Sequence, residues 1–162
     1  MLNIHHIVCN MLQENCYVVS DETKECVIID CGVFFDKDKE ALKKYITDNQ
    51  LKPSRLLATH GHVDHNLGNA FVYDTYGLQP EVHEDDSQLL EHLPEQAAYL
   101  LNMPLEEPQP PLAPCLTELT PFNGAIIALP LSTHRATPRA VVYSIVPKKG
   151  LPLLAIHCSE VR

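Results

Sequence analysis

The chain has 162 residues, 45% of them apolar, a size that fits one domain with a real core and contains no apolar run of membrane-spanning length. A net charge of −9 argues against a nucleic-acid partner, which requires clustered Lys and Arg. Met1–Gln13 lacks the basic start and apolar block of an export leader, and the six cysteines form no C-x-x-C pair, so reduced thiols and a cytoplasmic location are expected.

In chain order, Leu2–Cys9, Asn15–Val19 and Cys26–Ile29 read as strands, the last two joined by a hairpin turn at Asp21–Lys24. The third ends in Asp30-Cys31-Gly32, where the glycine is expected to take a sharp turn. Ala41, Leu42, Tyr45 and Ile46 share one face of a helix over Asp36–Asn49, which Lys52-Pro53 is expected to close. Arg55–Thr59 reads as a buried strand. A helix from about Leu67 to Gly77, a strand at Pro80–His83 and short helices at Asp85–His92 and Glu95–Asn102 follow, then a proline-rich loop over residues 103–115. This order predicts an α/β fold with helices packed on a sheet.

The densest chemistry is Thr59-His60-Gly61-His62-Val63-Asp64-His65, with three imidazoles and a carboxylate in six positions. On a loop at a strand end, alternate side chains of such a run converge. Imidazole and carboxylate donors suit zinc, with iron or manganese also chemically competent. The remaining histidines (His5, His6, His83, His92, His134, His157) read as surface or structural residues, and the cysteines as small buried hydrophobes.

The H-x-H-x-D-H spacing, with Glu14–Val19 and Ile28–Gly32 ahead of it, resembles the opening of glyoxalase II-like members of the metallo-β-lactamase superfamily. The resemblance implies an αββα sandwich and a binuclear hydrolase. His60 and His62 would hold one zinc, and Asp64 and His65 the second. Asp64 would also serve as the catalytic residue, orienting a metal-bound hydroxide that attacks a small-molecule thioester. No membrane or nucleic-acid partner is implied. An iron-dependent sulfur dioxygenase is the alternative within the superfamily, and a non-catalytic remnant is the alternative outside catalysis.

The last stretch departs from that pattern. Residues 131–162 carry +4 against −13 for residues 1–130, and ten of thirteen prolines follow residue 100. The family's later H-T-P-G-H-T-P-G-like and G-D-T-L-F strings are missing. Ala136 stands where the third metal histidine is expected, and Cys158 near the bridging aspartate, with His134 and His157 out of register. Codons built from the third base of one residue and the first two of the next permit H-T-P-G-H-T-P-G from Ser132 to Ala140. The same frame permits G-D-T-L-F from Leu154 to Ser159. The expectation is therefore the N-terminal half of the family's domain over residues 1–130 and an atypical tail over 131–162. A reading-frame change between about Ile126 and Ser132 would produce that tail and the stop at Arg162. An incomplete site and impaired hydrolysis follow, while Ala140–Val146 keeps the β-branched content of a strand.

Overall fold

The computed structural model describes residues 3–114 in full and, beyond them, four strands as backbone. The first sheet holds β1 (Asn3–Cys9), β2 (Glu14–Ser20), β3 (Glu25–Ile29), β4 (Lys52–Leu57) and β5 (Pro80–Glu81), hydrogen-bonded in that order. β1–β2 and β2–β3 are antiparallel, whereas β3–β4 and β4–β5 are parallel. Parallel neighbours need crossovers. The helix α1 (Asp36–Asp48) supplies the first and α2 (Asn69–Tyr76) lies in the second.

α1 starts where Asp38 turns back to accept the amides of Phe35 at 3.4 Å and Asn10 at 3.0 Å. It ends with Gln50 N donating to Thr47 O and Leu51 N to Ile46 O, with Gln50 at φ 54°. That is a Schellman-type cap built on a non-glycine residue. Lys52 and Pro53 therefore begin β4 rather than close the helix. Pro53 has no amide to donate, and the β3–β4 register shifts there while Ser54 Oγ donates to Cys26 O at 3.1 Å.

One apolar cluster joins Val18, Ile28 and Leu56 of the sheet to Leu42 and Ile46 of α1 and Val72 of α2. A second joins Ala58, Val63 and Leu67 to Val82, Leu90, Leu93 and Ala97, directly around the histidine loop. β5 is shorter than the strand expected at Pro80–His83. Val82 turns into the second cluster, and His83 begins a 3₁₀ turn by accepting from Asp85 N at 3.3 Å. Between β4 and β5, Arg55 grips Glu81 with two hydrogen bonds. The two short helices appear as α3 (Ser87–Glu91) and α4 (Leu93–Gln96), and α4 continues into a π turn at Ala97–Leu101.

β6 (Leu119–Phe122), β7 (Ala125–Ala128), β8 (Val142–Pro147) and β9 (Leu154–His157) form a second, antiparallel sheet in that order. β8 overlaps the strand expected at 140–146. The positions discussed for missing ligands (His134, Ala136, Cys158, and the His157 side chain) lie outside the described residues. Among the described residues no helix is long and apolar enough to cross a membrane.

Candidate metal centre

The loop lies where two parallel strands end side by side. Ile29 of β3 pairs with Leu57 of β4, so Asp30 and Thr59 emerge next to each other at the sheet's carboxyl edge. β2 runs the other way and begins at that edge, bringing Glu14 alongside. The turn after β3 is made by Asp30 itself at φ 53°, and not by Gly32, whose φ is not positive. Aspartate tolerates this left-handed region better than most residues. Gly32 is needed for closeness instead. A Cβ there would meet the Asp64 carbonyl, Glu14 Oε2 at 2.5 Å and Asn10 Nδ2 at 2.7 Å.

Asp30 is buried, and its carboxylate organises the loop. Oδ1 accepts from Thr59 N at 2.6 Å and Oδ2 from Thr59 Oγ1 at 2.8 Å. Thr59 Oγ1 in turn lies 2.8 Å from His60 Nδ1. His60 Nε2 is 3.0 Å from His62 Nδ1, and the His60 ring sits 4.2 Å from that of His65. His65 Nδ1 is 3.3 Å from Asp30 Oδ2 and 3.4 Å from Glu14 Oε1, while its Nε2 is 3.6 Å from Asp64 Oδ2. The four motif residues are thus neighbours in space, with His62 exposed and His65 buried.

Asparagines hold the loop backbone. Asn66, fully buried, donates from Nδ2 to His60 O at 3.0 Å and His62 O at 2.7 Å, and is itself held by Asn69. Asn10, in the β1–β2 turn, donates to Gly32 O and Asp64 O at 2.9 Å each. Gln96 of α4 ties Gly61 O at 3.0 Å to Leu89 O at 2.7 Å. Gly61 is pressed by α3, since a Cβ there would lie 2.5 Å from Leu89 Cβ.

Burial, reinforced by the neighbouring His65, lowers the His60 pKa to about 4, which keeps that imidazole neutral and fit to donate to a metal. Burial and the adjacent Asp30 charge push Glu14 up to about 8. Cys9, whose thiol donates to Glu14 Oε2 at 3.3 Å, is raised by burial and by Glu14. Cys9, Cys16, Cys26 and Cys31 are all buried free thiols, as expected from their scatter.

The donor chemistry fits a divalent cation. Two imidazole nitrogens converge to 3.0 Å, near the spacing of two donors on one metal, and a carboxylate and a third imidazole stand beside them. A second grouping, Glu14, Asp30 and His65, has donor atoms within 4.8 Å of one another. Its burial and Asp30's hydrogen bonds to Thr59 mark Glu14 and Asp30 as support behind the loop, with His65 common to both groups. Glu14, Asn10 and Gln96 are absent from the sequence-level site. No spacing rule reaches them, because they come from other elements.

A mixed sheet, crossover helices and a histidine–aspartate loop at the carboxyl ends of the parallel strands place the chain among α/β proteins that carry their polar site at a sheet edge. The chain belongs to the metallo-beta-lactamase superfamily, whose family model matches residues 9–144. The superfamily binds divalent metals. Among curated relatives, hydroxyacylglutathione hydrolase GloC of Haemophilus influenzae is 36% identical over 101 residues, covering 59% of this chain and 44% of that protein. An uncharacterized protein of Mycobacterium leprae is 40% identical over 81 residues, 49% of this chain and 36% of its own length. The chain thus spans under half the length of these relatives. Among solved structures, the BLEG-1 B3 metallo-beta-lactamase has a TM-score of 0.69 at 27% identity, covering 88% of this chain and 67% of that one. TTHA1623, in a di-iron-bound form, has a TM-score of 0.63 at 27% identity, covering 76% and 59%.

Proposed function

We propose that the chain is a metal-dependent hydrolase of glyoxalase II type, acting on small-molecule thioesters, with activity impaired by an incomplete site. The observation that carries the reading is the His60 Nε2–His62 Nδ1 pair at 3.0 Å, held from behind by Thr59 and Asp30. His60 and His62 would hold one cation, Asp64 and His65 a second. A bound divalent cation supplies Lewis acidity and lowers the pKa of water toward neutrality. Asp64 orients the attacking water by accepting its hydrogen bond. The water oxygen adds to the thioester carbonyl, the C–S bond breaks, and carboxylate and free thiol result.

Impairment rests on Ala136 and Cys158, which stand where the resemblance expects a third histidine and a bridging aspartate. The atypical stretch 131–162 is proposed to derive from a shifted reading frame, and the nucleotide sequence across codons 120–162 decides that point. If the shifted frame does not spell the two family strings, the frame change is wrong.

Metal content after dialysis and hydrolysis of S-lactoylglutathione test the rest, with Haemophilus influenzae GloC assayed alongside. The expected result is fewer than two tightly held metal ions per chain and turnover at least about a hundredfold below GloC. Two tight metals with GloC-like turnover would overturn the impairment. Turnover no higher than that of a His60→Ala/His62→Ala variant would instead establish a non-catalytic remnant. The di-iron form of TTHA1623 favours one further reading, an iron-dependent sulfur dioxygenase. Oxygen uptake on a persulfide substrate by the iron-loaded chain separates it from thioester hydrolysis.

A further inference from the structure

We infer that the outer edge of β1 pairs antiparallel with the same strand of a second copy of the chain, about a two-fold axis through His6. β1 is the outermost strand of the first sheet, and its seven residues pair with β2 without a register shift from Asn3 to Cys9. Among the described residues, no backbone hydrogen bond reaches β1 from outside that ladder. Such an edge templates pairing with another chain unless a charge, a proline or a bulge blunts it. β1 carries none of the three, and residues 3–13 contain no Asp, Glu, Lys, Arg or Pro. The opposite edge is built differently. β5 has only two residues, and the proline-rich loop lies against it, with Ala113 N donating to Pro80 O at 3.0 Å.

Charge selects the occupant. The chain carries −9 overall, so two copies repel each other over most of their surface, yet β1 holds none of its 21 acidic residues. The strand is also complementary to itself. Directly opposed residues of an antiparallel pair share one face, and His6 is the middle residue of Asn3–Cys9. Turning the strand about His6 therefore keeps all seven residues paired and sets Ile4 of each copy against Val8 of the other. Ile4 and Val8 are 41% and 54% exposed, and as β-branched neighbours across a ladder they cover each other. The other face of β1 is already held by α1. His5 stacks on Tyr45 at 3.7 Å, and Asn3 Nδ2 donates to Tyr45 Oη at 3.2 Å, so the edge is ordered before it meets a copy. Two seven-residue edges make a small interface, so the dimer is a reversible one.

Sedimentation velocity of the full-length chain over a micromolar concentration series reads the association directly. The expected result is monomer at the low end passing to dimer at the high end, with no larger species. Val8→Lys sets a charge on the edge at an exposed position and is expected to leave monomer throughout, as is Ile4→Lys. Far-UV circular dichroism checks that both variants keep the sheet. Cross-linking reads the register. A residue on the axis faces itself at roughly 4.5–5.5 Å between Cα atoms, within disulfide reach, whereas the two copies of Val8 stand about 14 Å apart. Under copper–phenanthroline, His6→Cys is expected to give a dimer joined at the substituted position, located by peptide mass. Val8→Cys is expected to link at least about tenfold less, with the unsubstituted chain as background. Monomer at every concentration, a dimer untouched by either lysine variant, open-ended association, or equal linkage at the two positions overturns the proposal. No metal or substrate enters these measurements, so a failed hydrolysis assay leaves their result standing.

Discussion

Asn66 has no exposed surface and gives both protons of its side-chain amide to the carbonyls of His60 and His62. Asn66→Asp keeps the shape but sets a carboxylate against two carbonyl oxygens. The expected cost is about 3 kcal/mol of unfolding free energy in urea denaturation, since two buried acceptors lose their donors. Cys26 is a quieter case. Burial pushes its thiol up to about 12 from 9.0, so the reactive thiolate is scarce in the folded chain at pH 8. Because folding raises this pKa, the thiol's contribution to stability is fully present below pH 9 and is lost as pH rises toward 12. Iodoacetamide mapped by peptide mass should label Cys26 at pH 8 far faster in urea than in buffer. Equal rates would contradict the burial. At this scale the proposed ligands His60, His62, Asp64 and His65 are picked out by spacing alone. Asn10, Glu14 and Gln96 are not, because each reaches the loop from a distant element with no local signature.

At the scale of elements, α1 ends on Gln50 in the left-handed region, where a side chain costs about 1 kcal/mol and glycine costs little. Gln50→Gly is expected to raise stability by roughly 0.5–1 kcal/mol in denaturant titration; a loss would mean that the Gln50 side chain contributes something its backbone does not reveal. The contact of α3 with the loop runs the other way. Gly61→Ala would place a methyl 2.5 Å from Leu89 Cβ and 2.9 Å from Asp86 O, neither on a flexible side-chain end. Forcing them apart should cost about 1–3 kcal/mol and weaken metal retention. Sequence periodicity located α1, α2 and the first three strands closely, because each has a clear apolar pattern. It misjudged β5, whose Val82 packs beside the loop, and the start of β4, where Pro53 reads as a terminator yet sits at a register shift.

Across the whole molecule, the loop rests on one apolar cluster and is bordered by the sheet edge, so a ligand bound there is coupled to folding. Saturating zinc is expected to raise the thermal midpoint by a few degrees, equivalent to about 2.7 kcal/mol at a hundredfold excess over Kd. The His60→Ala/His62→Ala variant should show a clearly smaller shift in the same calorimetric scan. A shift undiminished by the double substitution would place the stabilising metal elsewhere, with Glu14, Asp30 and His65 the next group to substitute.

Sequence by itself determined the α/β order, the histidine–aspartate loop and its superfamily, because hydrophobic periodicity and motif spacing are local properties written along the chain. It also exposed the change of character after residue 130. Only the tertiary structure decided what stands behind that loop. Parallel pairing of β3 with β4 sets Asp30 beside Thr59, and the opposed run of β2 brings Glu14 to the same edge. Those neighbours are 29 and 51 positions from the residues they support, Thr59 and His65. Contacts across such distances depend on strand direction and register, which no motif carries.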